Sequence, residues 1–298
     1  MLNGQMFNLI LLIGVILFSI VAILSVMGAW KRTALGRKLF RTTKRSPLRD
    51  NLLRSPGQAI HDNLLNETLD LNSNIWSLVL ITFFGVVLAP FSSRFIYFTI
   101  PVWIILSLFI LLILLRIKYQ YKKIQDMRLG LDGELATAEE LNQLMHYGCY
   151  VFHDFPGDHF NIDHVVIGPA GVFAIETKTR SKPVGKGKQG ATVFFKDSQL
   201  IFPNFQESKS IQQAKEQSKC LSDFIRKSVG KSVPVNAVLA LPGWMVERQM
   251  NDGNIVVINP KEIIKYVTAK KIVLDEQTIQ QIKYQVEQRC RTVEPYKP

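Results

Sequence analysis

The run Asn161-Ile162-Asp163-His164-Val165-Val166-Ile167-Gly168-Pro169-Ala170-Gly171-Val172-Phe173-Ala174-Ile175-Glu176-Thr177-Lys178 decides the fold. Two β-branched, apolar segments, 162–168 and 171–178, flank a Gly-Pro-Ala-Gly turn, which is the pattern of a β-hairpin. Side chains alternate along a strand, so Glu176 and Lys178 share one face while Ile175 and Thr177 share the other. Asp163 opens the first strand, and the hairpin carries it beside Glu176. His164 then points to the opposite face from Asp163, as a core or supporting group and not as a ligand.

Working outward, 134–147 reads as a helix with Leu135, Ala138, Leu141, Leu144 and Met145 on one face, stopped by Gly148. A strand over 149–155 precedes the hairpin. A Gly- and Lys-rich stretch (182–190) and a strand pair around Val193 and Leu200 follow it. A helix over 211–229 ends at Gly230, strands are expected over 233–241 and 254–258, and two helices, 260–269 and 275–290, complete the chain. The order α-β-β-β-α-β predicts an α/β domain with a mixed sheet. No GxGxxG or Walker A phosphate loop is present, and Gly185-Lys186-Gly187-Lys188 lacks the spacing and the preceding strand of one.

The first 115 residues are of another kind. Phe7–Ala29 is a 23-residue run free of charge, and 75–91 and 95–115 are two more apolar runs separated by Ser92, Ser93 and Arg94. At ~1.5 Å per residue the first spans roughly 34 Å, enough for a ~30 Å hydrocarbon core. No basic residue precedes it and no small-x-small site closes it, so a retained anchor is favoured over a signal peptide. The expectation is three transmembrane helices, the last two forming a hairpin. Nine Lys and Arg lie between residues 30 and 74, and Arg116, Lys118, Lys122 and Lys123 follow the third run. This places the N-terminus outside and both basic segments inside. The same charges suit anionic lipid headgroups, which explains the basic loop better than nucleic acid does. Within it, 59–69 suggests a short amphipathic helix lying on the membrane or against the globular domain. No Asp, Glu, Lys, Arg or His falls inside any span, which argues against a transporter or channel.

The 298 residues carry 36 Lys and Arg against 24 Asp and Glu, a net charge of +12 divided evenly between the residues before and after 115. With 47 % hydrophobic residues and three scattered cysteines, disordered, collagenous, disulfide-stapled and zinc-ribbon classes are excluded. Cys220 reads as a small buried residue and not as a nucleophile. His153 and His159 flank a turn and read as solvated.

Two carboxylates and a lysine at one strand end suit a divalent cation with hard oxygen ligands, Mg²⁺ or Mn²⁺, held by Asp163 and Glu176. Such a trio fits phosphodiester hydrolysis. The ion neutralises phosphate charge and acidifies water, and Lys178 orients the water or stabilises developing charge. Glu134, after Gly130-Leu131-Asp132-Gly133, has two readings: a carboxylate favouring a helix N-terminus, or a third carboxylate leaning over the metal. Arg180, Lys182, Lys186 and Lys188 cluster after the lysine motif. They are read either as contacts to a phosphate backbone, sensitive to salt, or as a solvated hairpin.

Gly130-x-x-Gly133-Glu134, 161–169 and 171–178 together resemble the nuclease-related domain, NERD, regarded as a branch of the PD-(D/E)xK nuclease superfamily. The resemblance covers roughly residues 127–240. It implies a restriction-endonuclease-like α-β-β-β-α-β core and an active-site set of Glu134, Asp163, Glu176 and Lys178. Gln213-Ala214 fits the Gln-Ala pair at the start of the family's second core helix, and Gln213 would then face the site. Thr179, Asn161 and Phe194-Phe195 depart from the usual Asn, Gln and Trp without removing a metal ligand. The domain organisation expected is transmembrane helix 1 (1–29), a basic cytoplasmic loop (30–74), a transmembrane hairpin (75–115), a linker (116–129) and a nuclease-like domain with C-terminal helices (130–298). The function expected is a Mg²⁺-dependent nuclease anchored in the inner (cytoplasmic) membrane, acting on DNA, with RNA kept as an alternative, at the cytoplasmic face. The competing expectation is a non-catalytic nucleic-acid-binding or scaffolding module tethered to the membrane.

Overall fold

The computed structural model describes residues 48, 50–88, 96–157, 160–183, 189–248 and 255–295. The chain divides into two units: residues 50–63 with 126–295, and a helical unit that includes 64–125. A short strand, β1 (Leu52–Leu53), precedes helices α1 (Gln58–Leu88) and α2 (Ile96–Asn142). A 3₁₀ turn over Gln143–Tyr147 extends α2, and Gly148, at φ 75°, closes it by donating its N–H to Leu144 and Met145. This is the left-handed position that glycine occupies without steric cost.

A five-stranded mixed sheet follows. Its members are β2 (Tyr150–Pro156), β3 (Asn161–Gly168), β4 (Gly171–Thr177), β8 (Val235–Ala240) and β10 (Ile255–Ile258). Their spatial order is β10-β8-β4-β3-β2, antiparallel through the β2-β3-β4 meander and parallel through β4-β8-β10. Helix α3 (Lys209–Val229) makes the crossover from β4 to β8. A smaller sheet, ordered β7-β6-β5-β9, is built from β5 (Thr192–Lys196), β6 (Gln199–Ile201), β7 (Gln206–Glu207) and β9 (Met245–Arg248). Helices α4 (Ile263–Thr268) and α5 (Glu276–Cys290) lead to β11 (Arg291–Val293), which pairs antiparallel with β1.

The alternation of β3 and β4 feeds two cores. Val165, Ile167, Val172 and Ala174 pack on Leu221 and Ile225 of α3 and Ile279, Ile282 and Val286 of α5. Val166, Phe173 and Ile175 pack on Leu141 and Leu144 at the end of α2 and on Ile263 and Val267. Both faces are covered, so these strands read as continuous apolar runs. Each fully buried Val, Leu or Ile contributes ~1.5–3 kcal/mol. The phase slips at one place. Phe152 and Phe155, three apart, enter the same core, and Asp154 between them has φ 50°. Ile162, the partner of Phe155, enters that core as well, so the slip crosses the hairpin. Asp154 and Asp163, lying between the paired residues His153–His164 and Phe155–Ile162, are thereby turned out of the alternating pattern.

The α-β-β-β-α-β order and mixed sheet expected from sequence are present. The helical part differs in several respects. The helix expected from Glu134 is the last part of α2, which starts at Ile96, and 116–129 is helical throughout. Glu134 is therefore no helix-start residue, and the macrodipole reading falls. α2 runs through Gly133, whose bare Cα leaves room for Thr179: a Cβ there would lie 1.7 Å from Thr179 Oγ1. The amphipathic segment 59–69 is the first part of the 31-residue α1.

Three spans are not supported. Among the described residues one helix is long and apolar enough to cross a membrane, within Trp103–Tyr147, with a hydropathy of 1.8 in its most apolar window and 11 % of that window buried. The span expected over 7–29 lies outside the described residues, and that over 75–91 is helical as far as Leu88. Within this unit Asn74 donates to Gln120 Oε1 at 2.7 Å and Lys123 pairs with Glu67.

In open helix, Gly→Ala gains ~1 kcal/mol. At position 133 the expected sign is opposite: Gly133→Ala lowers stability by about 1–3 kcal/mol through overpacking. Adding Thr179→Ala recovers part of the loss. Thermal unfolding of the two variants checks it.

Candidate metal and nuclease site

The parallel strands β4 and β8 bring the motif to the rim of a cavity of about 390 Å³ lined by Glu134, Asp154, Asp163, Glu176, Lys178 and Gln213, among others. Lys178 N donates to Ala240 O at 2.9 Å, which fixes the residue after β4 against the end of β8. Glu176 is 1 % exposed. Its Oε1 lies 2.6 Å from Lys178 Nζ, and its Oε2 accepts from Gln217 Nε2. Gln217, wholly buried in α3, also donates to Asn161 O at 3.1 Å. Asp163 Oδ2 accepts from the backbone N–H of Thr177 at 2.7 Å, a bond across the open end of the hairpin.

Glu134 enters from α2 and is 7 % exposed. Burial, and then the charges of Asp154 and Glu176, push its carboxyl from 4.5 up to about 7, opposed by Lys178 and a backbone hydrogen bond from Gly57. Asp163 is held well above the usual carboxylate range by burial and by Glu176 and Glu134. Asp154 Oδ2 accepts from Arg54 and from Ala59 N, and its Oδ1 accepts from Asn161 Nδ2 at 2.8 Å.

Every residue of the expected active-site set, Glu134, Asp163, Glu176, Lys178 and Gln213, borders this one cavity. Arg180 borders it too, paired with Glu207 at 2.8 Å. Lys182 sits apart from these contacts, exposed, with Nζ 5.8 Å from the Trp244 ring. Lys186 and Lys188 lie outside the described residues, as does His159. His164 is buried with its Nδ1 2.9 Å from His153 Nδ1, and burial lowers both, His153 to about 4. His153 was expected to be solvated. It is instead held as the registered neighbour of His164. The residues that sequence reasoning missed are Asp154, Gln217, Arg54 and Gly57. Only Gln217 had a signal: it lies one helical turn after Gln213, on the same face.

The donor set fits a hard divalent cation. Burial, and then the charges of neighbouring carboxylates, raise two of the carboxyls, so a positive ion between Asp163 and Glu176 would offset part of that cost. Among the described residues no three His, Cys, Asp or Glu side chains form a ready cage. Two carboxylates completed by water and phosphate oxygens is the arrangement Mg²⁺ takes most readily.

Residues 129–242 match the family model described as NERD, nuclease-related domain. The match runs from the last part of α2 through the hairpin and α3 to just past β8. No curated protein and no solved structure matches the chain.

Glu134 generates a pH test. A carboxyl raised in the folded state stabilises below its ordinary value and loses that contribution as pH climbs from 4.5 to about 7. The buried histidines act in the opposite direction below 6.5, so the comparison must be with a variant. In EDTA, Glu134→Gln is expected to be more stable than wild type at pH 8 by at most about 3 kcal/mol. The difference should vanish near pH 4.5 in thermal melts.

Proposed function

We propose that this protein is a membrane-anchored, Mg²⁺-dependent nuclease that hydrolyses phosphodiester bonds of DNA at the cytoplasmic face. The observation that carries the reading is the convergence of Asp163, Glu176, Lys178 and Glu134 on one cavity inside a segment that matches a nuclease-related family. Arrival of these side chains from three elements, α2, β3 and the end of β4, is not what solvated strand ends would give.

Asp163 and Glu176 would hold the cation, which supplies neutralisation of phosphate charge and a more acidic water when bound. Lys178 Nζ, on the Glu176 carboxylate, orients the attacking water or meets charge that develops on the phosphate oxygens. Glu134, with a carboxyl near 7, holds or releases a proton at working pH. Gln217 donates to Glu176 Oε2 and so holds the carboxylate that would serve the cation. Gln213, at the cavity wall, is placed to donate to a phosphate. Lys182 adds positive charge outside the cavity, and contacts of that kind give affinity without sequence reading.

The apolar helix within Trp103–Tyr147 supports membrane attachment. The other two spans, the N-terminus-out orientation and the inner-membrane location rest on the apolar runs and on the placement of basic residues in the sequence.

The test is cleavage of plasmid DNA by the full chain in detergent. Mg²⁺ or Mn²⁺ should support cutting and EDTA abolish it, and Asp163→Ala and Lys178→Ala should each lower the rate by about 10²–10³-fold. Intact DNA from folded wild type would leave the non-catalytic binding module in its place.

A further inference from the structure

The family match begins at Leu129, yet the cavity is also lined by residues at the start of α1, far upstream in sequence. Residues 50–63 belong to the same structural unit as 126–295. Leu52 and Leu53 pair with Val293 and Arg291, and Arg54 N donates to Cys290 O at 3.0 Å, so the segment is pinned to the C-terminal strand. Gly57, at φ 66°, packs so closely on α2 that a Cβ there would lie 2.4 Å from Leu131 Cδ1, and its backbone N–H reaches the Glu134 carboxylate. Ala59 and Ile60 line the cavity.

Arg54 is the charged centre of this strap. Its Nε and Nη2 lie 3.0 and 2.5 Å from Asp154 Oδ2, and its Nη1 donates to Thr292 Oγ1 at 3.1 Å. The pair is well shielded, with 16 % of the Arg54 side chain and 5 % of the Asp154 side chain exposed. From Asp154 the hydrogen bonds continue without a gap. Asn161 donates to Asp154 Oδ1, Gln217 donates to Asn161 O, and Gln217 donates to Glu176 Oε2. Arg54 is therefore linked to the proposed metal ligand Glu176 through three residues, Asp154, Asn161 and Gln217, with Asn161 meeting Asp154 by its side chain and Gln217 by its backbone carbonyl, across the point where the β2–β3 hairpin slips phase.

We infer that Arg54 is a positioning residue of the nuclease site, acting through Asp154, Asn161 and Gln217 on Glu176, and that the strap 54–60 is an integral part of the catalytic unit. The inference rests on the nuclease reading for its catalytic consequence but on hydrogen bonds alone for the relay. Fork-shaped guanidinium is required because two donors meet one carboxylate oxygen while a third holds β11, a geometry a lysine cannot reproduce. An unpaired Asp154 would add another negative charge to a cavity already crowded with them. A fragment that starts after the helical unit would lack the strap altogether.

The test uses the full chain in detergent, as wild type, Arg54→Lys, Arg54→Ala, and Arg54→Ala with Asp154→Asn, the last leaving no buried charge unpaired should the single variant fail to fold. Two quantities are read: kcat and KM for plasmid cleavage, and amide hydrogen exchange over 154–163 and 213–217 in EDTA. The expected result is a ~10–100-fold loss of kcat with KM within about twofold, as for supporting residues behind a metal ligand. Exchange should be faster in both segments, with Arg54→Lys between wild type and Arg54→Ala. Unchanged exchange in these segments, or unchanged kcat, in the folded variants overturns the inference. If wild type cuts nothing, the nuclease reading fails, and the exchange data still decide whether the relay exists.

Discussion

Glu134, Asp154, Asp163 and Glu176 line one cavity, and the surrounding structure offsets their burial and mutual repulsion. Each has its own counterweight. Lys178 and Gln217 occupy the two oxygens of Glu176, and Arg54 with Ala59 N holds Asp154. Thr177 N holds Asp163, and a backbone N–H of Gly57 reaches Glu134. The compensation is incomplete: burial, and then the neighbouring carboxylates, leave Glu134 and Asp163 binding protons more tightly than ordinary carboxyls. A protein built only for stability would place apolar groups or neutral pairs there. Residual negative charge in a cavity with a lysine at its edge is what a divalent cation and a phosphodiester can use.

The sheet makes that crowding possible. Parallel pairing of β4 with β8 fixes the strand end where Glu176 and Lys178 sit, and α3, the crossover between them, brings Gln213 and Gln217 to the same end. Ligand sites at strand ends beside a crossover helix are a general property of open α/β sheets. The phase slip at Asp154 is the local feature that lets two hairpin carboxylates turn toward the cavity while Phe155 and Ile162 remain in the core. α2 supplies Glu134 and Leu141, and the 3₁₀ turn that extends it supplies Leu144, the two leucines packing on the opposite face of the sheet.

Much of this was legible in the sequence because it is local. The hairpin, the shared face of Glu176 and Lys178, the stops at Gly148 and Gly230, and the crossover helix all follow from alternation, periodicity and turn chemistry. The continuity of α2 was not, since Gly130 and Gly133 look like breakers until the close approach of Thr179 explains one of them. Arg54 and Asp154 were invisible for a simple reason: their partners lie about 100 residues apart, and each alone resembles a solvated charge. Gln217 illustrates the middle ground, since its spacing from Gln213 was available but its burial against Glu176 was not.

The central claim is that Asp163 and Glu176 hold one divalent cation. Electron paramagnetic resonance of Mn²⁺ titrated into the full chain in detergent tests it without relying on turnover. The account expects one bound Mn²⁺ per chain, displaced by excess Mg²⁺, and lost when Asp163→Asn and Glu176→Gln are combined in a protein that melts like wild type. A folded wild type that binds no Mn²⁺, or a double variant that binds it equally well, would contradict the account.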